Sequence, residues 1–170
     1  LIIVAGIIAY STVLTIPLYD YAGTFAARPG AVHGVSLALH LANAALLFML
    51  FRAFTRDAVA PVVGMVAGLI FALHPAATQS VDTPTGLPGI VSTTFVLLSL
   101  LFFVRATRQL ESVRLVPYVV SIAAFVAACF FAPQAIVLPL LVIGIDFALH
   151  GENGIASRLK LWGPFVAVLV

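Results

Sequence analysis

The side chains that could do chemistry are few and stand far apart in an apolar chain. Asp20 and Asp82 are the candidate catalytic residues, both in stretches between apolar runs. An acceptor hydroxyl must lose its proton as it attacks, and a leaving phosphate needs cationic or metal stabilisation. One carboxylate at the right place can serve as base or as partner of a divalent cation. Neither aspartate has a second acid beside it in the sequence, although two can still meet in space. His40 follows Ser36 by four residues and precedes Asn43 by three, so the three share one helix face. Such a group can hydrogen-bond neighbouring helices, line a pocket for a ligand or lipid headgroup, or hold a pigment or metal through His40. His74, directly before Pro75, marks a helix stop and an interfacial cap, and is the second candidate for cofactor contact.

Other sites are not expected. A metal centre needs several ligands at close spacing, and no such cluster occurs. There is no HExxH, Walker A, GxGxxG or serine-nucleophile elbow. Cys129 is the only cysteine and sits in an apolar run, where it reads as a small hydrophobe. Asp146 is the one acid inside an apolar segment, and pairing with Arg158, Lys160 or another nearby base is its expected state.

The elements that must position these residues are membrane helices. Of the 170 residues, 63% are hydrophobic and 8% charged. A water-soluble domain carries about 25% charged residues and leaves much of its surface exposed. Here the solvent for most of that surface must be lipid. Six apolar segments stand out: Leu1–Leu18, Gly34–Phe51, Pro61–Ala77, Leu87–Val104, Leu115–Phe131 and Ala135–Leu149, with a seventh starting near Trp162. The expected fold is all-α, a single polytopic transmembrane helix bundle of six to seven segments over residues 1–170. Leu1–Leu18 is the most polar of them, carrying Tyr10, Ser11, Thr12 and Thr15, so it either spans or lies at the interface. The absence of a leader before Leu1 and the apolar run after Trp162 suggest a fragment of a longer chain.

Charge sets the expected orientation. Arg52, Arg56, Arg105, Arg108, Arg114, Arg158 and Lys160 all fall between alternate segments, and only Arg28 falls on the other side. By the positive-inside rule those seven face the cytoplasm, in a bacterial inner membrane. The loops Tyr19–His33, Pro75–Gly86 and Ala132–Gln134 then face outward, and Pro75–Gly86 reads as irregular backbone with turns. The scattered basic residues form no nucleic-acid patch. The expected partners are membrane lipids and other transmembrane subunits.

Several stretches resemble the GT-C superfamily of membrane glycosyltransferases, in its protein O-mannosyltransferase-like branch with TPR repeats. The stretch from His40 to Phe48, with Asn43, Leu46 and Leu47, is similar to that family's H-x-x-N-x-x-L-L helix. Leu69 to Pro75 is close to its L-F-A-L-H-P, followed by Gln79-Ser80-Val81 and later by Leu138-Pro139-Leu140-Leu141 ahead of Asp146. The resemblance covers roughly residues 10 to 150. It implies sugar transfer from a polyprenyl phosphate at the outward face, with a carboxylate in the first outward loop and basic residues holding the phosphate. The departures all remove charge. Gln79 stands where the family has Glu, Leu87-Pro88-Gly89 where it has an Arg and an Asp, and Pro133-Gln134 where it has Lys-Glu or Lys-Pro. A phosphate pocket without cations lacks its strong charge-assisted contacts. The leading expectation is therefore a non-catalytic accessory or structural subunit of a larger membrane complex. The alternative is an active GT-C-like enzyme.

Overall fold

A computed structural model describes residues 1–11, 29–55, 57–108, 113–151 and 155–169, and this described part is helical without strands. The helices are α1 (Ile2–Ala9), α2 (Pro29–Phe54), α3 (Ala60–Leu73), α4 (Pro75–Asp82), α5 (Leu87–Thr107), α6 (Leu115–Phe131), α7 (Leu138–His150) and α8 (Ile155–Ala167). Short 3-10 turns at Pro84–Gly86 and Pro133–Val137 lead into α5 and α7. Proline opens α3, α4, α5 and α7 within the first two positions, where its missing N–H costs no helical hydrogen bond. Gly151 ends α7 with φ of 61°, a conformation that favours glycine, and its N–H returns 2.7 Å to the Phe147 carbonyl.

The packing alternates direction. Along α3, Gly64, Gly68 and Ala72 meet Phe48, Ala44 and His40 of α2 in turn, so α3 runs back along α2. A Cβ on Gly68 would lie 2.6 Å from Ile2 Cδ1 and 3.0 Å from the Ala44 carbonyl oxygen. These small residues let the two backbones approach and admit α1 beside them. α5 runs parallel to α2: Asn43 reaches Ile90, and Leu50 packs in one cluster with Leu97, Leu100 and Leu101. α6 returns along α5. The Ser99 and Ser121 hydroxyls each donate to the other's backbone carbonyl, at 2.8 and 2.6 Å, and Phe95 stacks on Phe131 with ring centres 5.6 Å apart. α7 brings His150 to the Thr107 carbonyl at the end of α5, and α8 folds back so that Phe165 packs against Phe103 and Phe125. One end of the bundle thus holds His74 and Asn43, the other holds Arg52, Arg105, Arg114 and Arg158.

Three stretches are long and apolar enough to cross a membrane: His33–Phe54, Leu87–Thr107 and Pro133–His150, the last joining a 3-10 turn to α7. α3 and α6 are shorter apolar helices. Val62, Val66 and Ile70 on α3 and Leu115, Val116 and Val119 on α6 are exposed. Exposed apolar surface on this scale is suited to lipid contact.

Several expectations are corrected by the structure. The Pro75–Gly86 stretch is mostly α4 and a 3-10 turn, because Pro75 sits where a helix tolerates it best and His74 caps the start. The same break splits the expected segment Pro61–Ala77. α2 starts at Pro29 rather than Gly34, which takes His33 out of the loop and buries it in the helix. α8 starts at Ile155, so Arg158 and Lys160 are helical rather than in a loop before Trp162. Of the first segment, Ile2–Ala9 is helical and closes in a turn at Tyr10 and Ser11, while positions 12–18 lie outside the described residues.

The glycine contacts make a discriminating prediction. Gly68→Val should lower stability by about 1–3 kcal/mol through overpacking. Gly144→Ala, with open space around it, should be neutral or raise helix stability by about 0.5–1 kcal/mol. Thermal unfolding of the two variants in the same detergent checks both.

Candidate functional site

The site forms where α3 breaks. Pro75 has no N–H, and the Ala76 N–H turns to His74 Nδ1 at 3.1 Å. Continuing α3 would have used those two positions to satisfy the carbonyls of Phe71 and Ala72. His40 on α2 repairs part of this loss: its Nε2–H donates to the Ala72 carbonyl at 3.3 Å. The ring is held between Tyr10, edge-on with centres 5.5 Å apart, and Phe71, stacked at 5.0 Å.

His40 belongs to a polar stripe of α2 that also contains His33, Ser36 and Asn43, all at most 3% exposed. Spacings of three and four keep them on one helix face. Three of them address the backbone of three different elements. His33 Nδ1 lies 3.5 Å from the Val81 carbonyl in the last turn of α4, at the outer limit of a hydrogen bond. His40 holds Ala72 of α3, and Asn43 Nδ2 donates 3.1 Å to the Ile90 carbonyl of α5. The stripe therefore gathers the broken α3–α4 segment and the start of α5 around α2.

Between these elements lies a cleft of about 690 Å³. His40, Asn43, His74, Ser80, Thr93 and Gln134 contribute its polar lining. Leu47 and Phe51 line it further toward the arginine end, and Ala67 and Ile70 of α3 add to its apolar lining. Along α2 the lining extends from His40 to Phe51, roughly 16 Å at 1.5 Å per residue. No Asp, Glu, Lys or Arg lines it among the described residues. The Asn43 Oδ1 atom is buried without a hydrogen-bond partner, as are His33 Nε2 and Ser36 Oγ.

A second polar cluster lies at the opposite end of the bundle and is charged. Arg158 Nε and Nη2 donate to Asp146 Oδ2 at 2.8 and 2.6 Å, and Nη2 also reaches the Asp146 carbonyl at 2.7 Å. Trp162 Nε1 donates to the same carboxylate oxygen at 2.8 Å. His150 Nδ1 lies 3.1 Å from the other carboxylate oxygen, and its Nε2 lies 2.9 Å from the Thr107 carbonyl. Asp146 is fully buried. Both of its oxygens are occupied, so it ties α7 to α8, and through His150 to α5, rather than offering a free base.

The sequence candidates separate accordingly. His40 and His74 both line the cleft, although the Nε2 of one and the Nδ1 of the other are engaged with backbone. Asp82 is the last residue of α4, and its side chain, like all of Asp20 and Arg56, lies outside the described residues. Among the described residues no three His, Cys, Asp or Glu side chains gather closely enough to hold a metal ion. Thr93, Ser80 and Gly89 were not legible as lining residues, because nothing in their local sequence signals that α4 and α5 fold over α2. No protein-family model, curated protein or solved structure matches the chain.

The buried ion pair carries a prediction of its own. Arg158→Met leaves the Asp146 carboxylate without its cation and should cost about 3–5 kcal/mol, while Asp146→Leu combined with Arg158→Met should recover most of it. Thermal unfolding in detergent of the single and double variants measures the difference.

Proposed function

We propose that this chain is a transmembrane helical subunit without catalytic chemistry of its own, an accessory or structural part of a larger membrane assembly. The observation that carries the reading is the cleft. No cation or carboxylate lines it among the described residues. Transfer from a phosphate-linked donor needs both a proton acceptor and stabilisation of the leaving phosphate. The best-formed charged cluster, around Asp146, is buried and fully paired at the other end. Exposed apolar residues on α1, α3 and α6 supply surface for lipid and for other transmembrane helices.

In this reading α3 and α6 are the return spans between three longer helices that run in one direction. At 14 and 17 residues they measure about 21 and 25 Å, short enough to need thin bilayer contact or flanking protein. The arginine end faces the cytoplasm of a bacterial inner membrane. Support comes from Arg52, Arg105 and Arg114, which stand near the helix ends on that side of the bundle.

One observation favours a second reading, a GT-C-like glycosyltransferase. His40 and Asn43 from one stretch of the resemblance and His74 from another meet on the one cleft. In that reading Asp20 or a carboxylate of another segment completes the site, with a divalent cation.

One preparation separates the two. The full-length protein, extracted in mild detergent, is assayed for sugar transfer from a polyprenyl-phosphate donor and for stoichiometric membrane-protein partners. The accessory role predicts partners and no turnover, unaltered by Asp20→Asn. Turnover that Asp20→Asn abolishes would establish the enzyme instead.

A further inference from the structure

The cleft has a polar part, an apolar part and no charge among the described lining residues, and those three features define a ligand. Near the His74 end, Asn43 presents the buried acceptor Oδ1 that no donor of the protein reaches. The amide cannot be turned the other way, because Nδ2 must face the Ile90 carbonyl. His74 supplies the complementary group. Its Nδ1 accepts from the Ala76 N–H, so in the neutral ring Nε2 carries the hydrogen and donates. His74 is exposed and lines the cleft. A donor and an acceptor among the residues lining one cleft match a hydroxyl, which both gives and takes a hydrogen bond. A carbonyl or ether oxygen would leave Asn43 Oδ1 unsatisfied, and a phosphate would meet no cation among the described lining residues.

Beyond the polar end the lining becomes apolar. Leu47 and Phe51 lie one and two turns further along α2, and Ala67 and Ile70 of α3 line the same cleft. Ile70 is 60% exposed, so this wall reaches the outer surface of the bundle, where lipid would have access. The cleft volume of about 690 Å³ lies within the range of roughly 300–1,000 Å³ typical of small-ligand sites.

We propose that the cleft binds an uncharged lipid alcohol, with its hydroxyl between Asn43 Oδ1 and His74 Nε2–H and its hydrocarbon tail along Leu47, Phe51 and Ile70. Reaching Oδ1 takes a side-chain adjustment in the cleft wall of the kind common on binding. This assignment does not rest on the accessory role; it needs only the cleft and surrounding lipid. The chain would thereby hold or sense a neutral amphiphile.

The test uses the full-length protein in phosphatidylcholine nanodiscs. The probe is monooleoylglycerol carrying a photoreactive diazirine in its tail, with the matching oleoyl lysophosphatidic acid as the charged comparison. Labelled peptides are mapped by mass spectrometry. The proposal predicts labelling concentrated on residues 47–51 and 67–70, which line the tail's course. It should exceed that by the phosphate analogue about tenfold, the equivalent of about 1.4 kcal/mol. Asn43→Leu should reduce it by a similar factor. Because that variant also removes the bond to Ile90 and can fail to fold, Ala67→Phe is made in parallel. It fills the cleft, leaves Asn43 unaltered, and should abolish the label while thermal unfolding stays cooperative. Excess free glycerol should not displace the probe. Equal or stronger labelling by the phosphate analogue, labelling spread evenly over the outer faces of α3 and α6, displacement by glycerol, or a label that survives Ala67→Phe would each overturn the assignment.

Discussion

A single hydrogen bond explains why the chain can break a helix next to lipid. Pro75 and the His74 cap end α3 and start α4, and the carbonyls of the last α3 turn lose their ordinary partners. In water such carbonyls would be solvated, but in hydrocarbon an unsatisfied backbone group costs several kcal/mol. His40 comes from a neighbouring helix and donates to one of them, at Ala72. Its Nε2–H cannot also serve as a metal ligand while it does so. His40 thereby takes part in the backbone's hydrogen-bond balance, with Nε2–H as the donor.

The rest of the His74 end depends on that repair. With α3 broken, α4 can lie across the top of α2, and Gly86 can approach the Ser80 backbone so closely that a Cβ there would collide with it. α5 then begins beside Asn43. The cleft is the space this arrangement leaves. The opposite end is built by other means. There Asp146 gathers Arg158, Trp162 and His150 from two helices, and the enclosed carboxylate is paired on both oxygens. Among the described residues the cleft lining carries no charge and includes the unpaired acceptor Asn43 Oδ1, whereas the Asp146 carboxylate is enclosed and paired.

Much of this was legible in the residues before any coordinates. The shared face of Ser36, His40 and Asn43 follows from spacings of three and four, and all three are buried together. Asp146 needed a cation nearby, and Arg158 is the one that meets it. The parts that were not legible depend on tertiary context. Pro, Thr and Gly between 75 and 86 look like a loop, yet a proline at a helix start and a capping histidine serve a short helix equally well. His33 looked like a loop residue because a glycine follows it, although the α2 pattern extends past that glycine. α8 begins with charged positions that look solvated until Arg158 is turned inward onto Asp146.

The dependence of the His74 end on His40 can be measured directly. Backbone amide exchange would be followed in nanodiscs for the native chain and for His40→Phe, which keeps the aromatic packing against Tyr10 and Phe71 but removes the donor. The account predicts faster exchange, by an order of magnitude or more, confined to the last turn of α3 and to α4, with α6 to α8 unchanged, since about 1.4 kcal/mol of lost local stability corresponds to tenfold. Protection of residues 70–82 equal to that of the native chain would contradict it, and would mean that the helix break is held by something other than the stripe on α2.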